Sequence, residues 1–287
     1  MKNTLFFLSI LLLFFSCKKE TLVTVTNNIP PDDVTISTST VERYINRTFI
    51  RCLGIEPDSI ELAYIKTNLL TNNLDSASRN AFANSIFTKP EYLPHLYDQM
   101  KVDYLNNIDT NEFGQYLFIF NNYLNDSTYL SSWPALIYER DRMLLLQSAY
   151  RQFTTSQIDL RELQKRMCNN YFYDNINMGS ANFVVFTFKH LIGRNPTMSE
   201  QSYGISMVEG NNSTIFLLAG NSKENFLDIL LNSNSYYEGQ VIQIYNNLIY
   251  RIPSSYEMSS GTLLYQTTQS YSEVQKKIIT SNEFIGN

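Results

Sequence analysis

Three glutamates recur at one spacing. Glu61, Glu200 and Glu257 each stand three residues after a polar residue that follows a proline, in Pro57-Asp58, Pro196-Thr197 and Pro253-Ser254. Facing carboxylates in a cleft could supply the acid and base of a hydrolase. The same spacing has a structural meaning. The side-chain oxygen of Asp58, Thr197 or Ser254 can take the amide of the third residue of a following helix, while the glutamate returns to the cap's own amide; such a capping box contributes about 1 kcal/mol. A cap is needed at every helix start, whereas catalysis is not, so these six residues are read as helix caps and no catalytic residue is expected. The two histidines, His95 and His190, are far apart and belong to no His-Glu-x-x-His pattern, so no metal site is expected. Of the three cysteines, Cys52 and Cys168 lie in apolar helical stretches and read as core residues, which an oxidising compartment could also join. No Cys-x-x-Cys-His occurs, which excludes a covalently held haem, and no cofactor is expected.

The remaining cysteine, Cys17, has a different context. Lys2 precedes an apolar run from Leu5 to Phe15, small Ser16 follows, and Lys18-Lys19-Glu20 ends the run. This is the layout of an export signal, and it is shorter than the roughly 20 apolar residues of a transmembrane helix. Leu13-Phe14-Phe15-Ser16-Cys17 resembles the lipobox of bacterial lipoproteins, in the aromatic-rich form common in Bacteroidota. The resemblance implies that residues 1–16 are removed and that Cys17 carries lipid. It makes the membrane a partner through Cys17, in the cell envelope and most simply at the outer membrane. Each buried acyl methylene contributes about 0.8 kcal/mol, so two or three chains hold firmly. Residues 17–38, with Pro30-Pro31-Asp32-Asp33 and no helical period, read as a tether. At about 3.3 Å per residue, some twenty residues reach roughly 65 Å.

The formal charge of −5 becomes −6 without Lys2, and no basic run interrupts it, which argues against nucleic acid as a partner. Abundant Tyr and Phe with scarce Gly suit a helical protein more than a β-sandwich.

Internal similarity gives the organisation. Ile45, Phe49, Leu53, Gly54 and Pro57 are matched by Val184, Phe188, Ile192, Gly193 and Pro196, and by Val241, Tyr245, Ile249, Tyr250 and Pro253. Apolar residues four apart form a helical stripe, and the proline stops the helix. Each segment then carries a further helix, opened by Asn221 with Glu224 in the second and by Ser270 with Glu273 in the third, and closes on an aromatic at Tyr92, Tyr236 or Phe284. An all-α fold is expected, built from three related helical repeats over 39–92, 182–236 and 237–287, with a helical insert at 93–181. Within the insert, Asp109 with Glu112, Pro134, and Asp159 with Glu162 mark helix starts. Glu139-Arg140-Asp141-Arg142 reads as a solvated face, and Ser180 as a cap after a left-handed Gly179. Tyr171, Tyr173 and Asp174 are the candidate binding surface for a sugar or peptide, against a plainer reading as packed linker.

The pattern Leu-Ile-Gly-Arg-x-Pro-Thr-x-x-Glu at 191–200, with a Ser-x-Glu-Phe ending as at 281–284, resembles a short helical repeat of bacterial exported proteins related to phycobilisome linker domains. It also resembles helical domains accompanying c-type cytochromes in planctomycete surface proteins. The likeness covers 41–92 and 182–287, and departs at Ile55, where the other copies have Arg194 and Arg251, and at Tyr250, where they have Gly54 and Gly193. It implies an all-helical structural or interaction module and supplies no catalytic residue. The expected function is a non-enzymatic interaction or scaffold lipoprotein with an envelope protein partner. The alternatives are a glycan- or peptide-binding surface lipoprotein and a hydrolase.

Overall fold

The computed structural model describes residues 36–286, so the expectations for Cys17, the leader and residues 17–35 lie outside it. The described chain is all-α, with fifteen α-helices and one two-stranded hairpin. None of its helices is long and apolar enough to cross a membrane.

Helix α1 (Thr38–Leu53) shows how the sequence makes these elements. Val41, Tyr44, Ile45, Thr48, Phe49, Cys52 and Leu53 form one buried stripe, Ser37 caps the start, and Gly54 closes the end in the left-handed conformation at φ 71°. Helices α2 (Ser59–Thr71) and α3 (Ser76–Phe87) follow, capped by Asp58 and Asp75. Then come α4 (Tyr92–Leu105), α5 (Thr110–Leu124), α6 (Trp133–Thr154), α7 (Leu160–Cys168) and α8 (Tyr171–Ile176). Helices α5 and α6 form an antiparallel hairpin, with Pro134 in the first turn of α6, where its missing N–H costs nothing. Helix α9 (Ser180–Thr187) runs into a π-helical turn at Phe188–Ile192, followed by α10 (Met198–Val208). After the hairpin come α11 (Lys223–Leu231), α12 (Asn234–Ile249), α13 (Ser255–Thr268), α14 (Tyr271–Ile279) and α15 (Asn282–Gly286).

The last helices pack on the first. The Phe284 ring meets Tyr44 edge-on at 6.1 Å, and Arg47 donates to the Phe284 carbonyl at 2.7 Å. Arg79 donates to the Thr280 carbonyl at 2.8 Å, and the buried Tyr92 hydroxyl donates to Gln275 at 2.6 Å. Cys52 and Cys168 are buried and unpaired. Burial pushes the Cys52 thiol up to about 12 and raises Cys168 as well, so neither is a reactive thiolate.

At the centre, α12 crosses the π turn. A Cβ on Gly239 would lie 2.4 Å from the Ile192 carbonyl carbon, so the backbones touch. The π turn and the left-handed Gly193 leave carbonyls without helical partners, and side chains of α12 supply them. Gln240 donates to the Leu191 carbonyl at 3.1 Å and Gln243 to the His190 carbonyl at 2.5 Å. Gln240 is oriented by Gln164 (2.8 Å), which accepts from the Tyr236 hydroxyl (2.6 Å); Tyr104 also donates to the His190 carbonyl at 3.1 Å. All of these side chains except Gln243 are buried, and their polar groups are satisfied, which buried amides require.

Several local expectations are corrected. A β-hairpin, Ser213–Ile215 with Leu218–Gly220, interrupts the second segment. Its two turn residues, Phe216 and Leu217, adopt positive φ, a turn chemistry that ordinarily asks for Asn or Gly. Ser222, not Asn221, caps α11, because its hydroxyl reaches the Asn225 amide at 3.1 Å. Gly179 is the N-cap position of α9 with φ 85° and ψ 151°, an extended-side conformation rather than a left-handed helix end, and Ser180 is already helical. Glu112 does not return to its cap, and Asp109 holds the Asn111 amide alone. Glu162 turns instead to Arg166, at 2.7 Å.

The crossing yields a contrast between two glycines. Gly239→Ala must push backbone from backbone and should cost about 3 kcal/mol, lowering the melting temperature by roughly 6–12 °C. Gly114, in α5, has only the flexible end of Gln147 within 4 Å, at 3.8 Å, so Gly114→Ala should stabilise by up to about 1 kcal/mol. Thermal melts of the two variants measure this, and equal effects would contradict the crossing.

Candidate functional site

The three capping positions lie at separate helix starts. The Thr197 hydroxyl accepts from the Glu200 amide (3.2 Å) and Glu200 accepts from the Thr197 amide (2.7 Å). Ser254 and Glu257 repeat this at 3.4 and 2.7 Å. Each glutamate is also forked by an arginine: Arg194 reaches Glu200 at 2.8 and 2.7 Å, and Arg251 reaches Glu257 at the same two distances. The guanidinium carbons lie 5.6 Å from the Phe188 ring centre and 5.2 Å from that of Tyr245. The Pro57-Asp58 site differs. Asp58 takes the Ile60 and Glu61 amides at 2.9 and 2.8 Å, but Glu61 does not return to the cap. It pairs with Lys89 at 2.5 Å, and the Lys89 ammonium sits 5.4 Å over Phe49. Ile55 offers no cation at the arginine position, so a lysine from the α3–α4 connection fills the same space.

These contacts set the chemistry. The arginine fork, then the cap amides, hold Glu200 and Glu257 at about 2, so both are carboxylates and acceptors at neutral pH, not proton donors. Arg251 also pairs with Glu283, which the fork lowers too.

The structure takes Tyr173 out of the candidate binding surface at 171–174. Tyr173 is fully buried; its hydroxyl lies 2.9 Å from His190 Nδ1, and its ring packs edge-on against Phe183. Tyr171 is half-buried among Tyr116, Phe120 and Phe172. Asp174 faces inward to Arg142 and Lys223. The solvated-face reading of 139–142 fails at Arg142, while Asp141 is exposed. Arg142 is 5% exposed and donates to Glu139 (2.5 Å), Asn169 (2.9 Å) and Asp174 (3.1 Å), while its guanidinium lies 4.4 Å over Tyr138. Tyr138 in turn donates to Glu224. The ion cluster therefore ties α6, α8 and α11 together. Burial lowers Lys223, opposed by Asp174, and burial lowers both histidines, His190 to about 4, so the imidazoles are neutral at pH 7. Among the described residues no group of three His, Cys, Asp or Glu side chains is placed to hold a metal ion.

Two surface features escape the sequence reading. The outer helices α2, α10 and α13 expose large apolar side chains: Ile60 (82%) and Tyr64, Met198 (90%) and Tyr203, Tyr256 (81%) and Leu263. The second feature is Tyr250. It closes α12 in the left-handed conformation at φ 57°, which costs an L-residue about 1–2 kcal/mol, and it is nevertheless 72% exposed. The Arg51 guanidinium lies 4.3 Å over its ring.

No family model, curated protein or solved structure matches this chain. The geometry alone carries the functional argument.

The depressed glutamates give a pH dependence with a fixed sign. Their folded values near 2 lie below the unfolded value of about 4.3, so their contribution is complete above pH 5 and disappears as pH falls toward 2. Urea unfolding should show the Glu200→Gln, Glu257→Gln double variant weaker than wild type at pH 7, with the gap closing between pH 5 and 2. A gap that stays constant with pH would contradict the clamps.

Proposed function

We propose that this chain is an exported lipoprotein whose helical domain is a non-enzymatic interaction or scaffold module of the cell envelope. Lipid on Cys17 holds it at the outer membrane. Its helical body is made of three related units, with the insert between the first two. The observation that carries the reading is the exposure of large apolar side chains on α2, α10 and α13, the helix that follows the capped proline in each unit. Isolated exposed apolar residues are ordinary, but their return on the same helix of each unit favours a surface that meets a protein partner.

Two further features support the related units. A cation over an aromatic ring pairs with the cap-following glutamate three times, in Lys89–Glu61, Arg194–Glu200 and Arg251–Glu257. Gly204 lets α10 approach Val184, and Gly261 lets α13 approach Val241, at the same offsets. A hydrolase is disfavoured because the recurring glutamates are engaged in caps and ion pairs. The glycan or peptide reading loses Tyr173 to the core.

Photo-crosslinking amino acids at Tyr64, Tyr203 and Tyr256, introduced in the native host, test the scaffold. One defined envelope protein should appear as a crosslinked adduct from at least one position and vanish with a charged residue on the same helix, Ile60→Glu, Met198→Glu or Leu263→Glu. Silence at all three positions would overturn the reading. The anchor is tested separately. Cys17→Ser should leave an uncleaved chain that takes up no alkyne fatty acid, and labelling equal to wild type would refute it.

A further inference from the structure

We propose that Arg51 and Tyr250, where the end of α1 meets the end of α12, bind a carboxylated sugar residue of an acidic glycan. This goes beyond the scaffold reading and does not depend on it. At the two matching helix ends the left-handed position is glycine, Gly54 at φ 71° and Gly193 at φ 72°, whereas Tyr250 holds it with a bulky side chain. That ring is 72% exposed, so burial does not compensate the backbone strain. Arg51 covers it at 4.3 Å, and among the described residues no hydrogen bond or ion pair takes the Arg51 guanidinium. Its neighbour differs: Arg251 is forked by both Glu257 and Glu283. A half-buried arginine with no acceptor among the described residues, packed on an exposed aromatic, is a donor fork open to a ligand.

Two clefts meet at this pair. One, of about 300 Å³, adds Arg47 and Glu283; the other, of about 250 Å³, adds Gln99, Asp103, Asn246 and Asn247. The donor set selects the ligand class. The arginine fork matches a single carboxylate, the tyrosine face matches the C–H face of a sugar ring, and three carboxamides match hydroxyls because each donates and accepts. Asp103 and Glu283, which also line the clefts, can accept hydrogen bonds from hydroxyls and repel a phosphate dianion. The clefts are therefore poor sites for a phosphate dianion, and a polyacidic peptide brings neither the ring face nor the hydroxyls.

Calorimetric titration of the full chain with trigalacturonate tests the site, with its carboxyl-reduced neutral trisaccharide and triglutamate as comparators. Trigalacturonate should bind, with the neutral trisaccharide about tenfold weaker or worse for want of the charge-assisted fork, and triglutamate silent. Arg51→Ala should weaken binding about tenfold, the loss of that fork. Tyr250→Gly should weaken it similarly while melting within about 3 °C of wild type, since relief of strain offsets the lost stacking. No binding of trigalacturonate, equal binding of triglutamate, or unchanged affinity in Arg51→Ala would each overturn the proposal. A Tyr250→Gly chain that melts far lower would make the ring a packing residue and overturn it too.

Discussion

The contact on which the rest of the domain depends is the passage of α12 across the π turn of α9, backbone against backbone at Gly239 and Ile192. Such an approach is possible only without a Cβ, and it leaves carbonyls of the turn facing another helix instead of water. Each must find a donor inside the protein, since an orphaned buried carbonyl costs as much as a lost hydrogen bond. Gln240 and Gln243 provide the donors, and Gln164 and Tyr236 hold Gln240 in orientation. With both glutamines committed, α12 cannot rotate about its axis. The stripe of Val241, Ile244, Tyr245 and Leu248 is then set against the core, and the end of the helix is delivered to the surface at Tyr250.

Rigidity at the entry to the following helices comes from a different device. A cation lying on an aromatic ring and reaching the glutamate of a cap joins the end of one helix to the start of the next. An exposed ion pair alone contributes little, but here the guanidinium is stacked, forked and bonded onward to a carbonyl, at Asn195 or Ile252, so the side-chain entropy is shared among several contacts. Near the first of the three prolines, Lys89 from a different place in the chain lies over Phe49 and pairs with Glu61, without the returning cap bond. The cation over the ring is kept there although the residue that supplies it has moved.

This difference marks what the sequence makes legible. Spacing of four residues before a capped proline is a local signal, and the buried Phe49, Phe188 and Tyr245 follow from it, as does the helical class. The clamps depend on side chains meeting in space, and the lysine for Ile55 cannot be found by offset. Alternating charge on a helix usually marks a solvated face, but Arg142 is buried because Asp174 and Asn169 arrive from other segments to receive it. Tyr173 is buried and Asp174 is drawn to Arg142 and Lys223 for the same reason. The π turn and the Phe216-Leu217 hairpin contradict local propensity and are held by tertiary contacts, the hairpin through Phe216, which packs 6.1 Å from Phe188.

Closure of the chain on itself decides where Arg51 and Tyr250 stand. Arg51 ends the first helix and Tyr250 ends the twelfth, nearly two hundred residues later. They meet because Phe284 and Thr280 bring the last helices onto α1 and α3, through Tyr44, Arg47 and Arg79. A left-handed tyrosine is unfavourable in an isolated helix end, and a guanidinium without a carboxylate is better hydrated than half-buried, so neither residue is favoured by its own segment. Only the assembled domain places one on the other. At Tyr250 this conflict between local preference and assembled geometry falls at an exposed position beside two clefts.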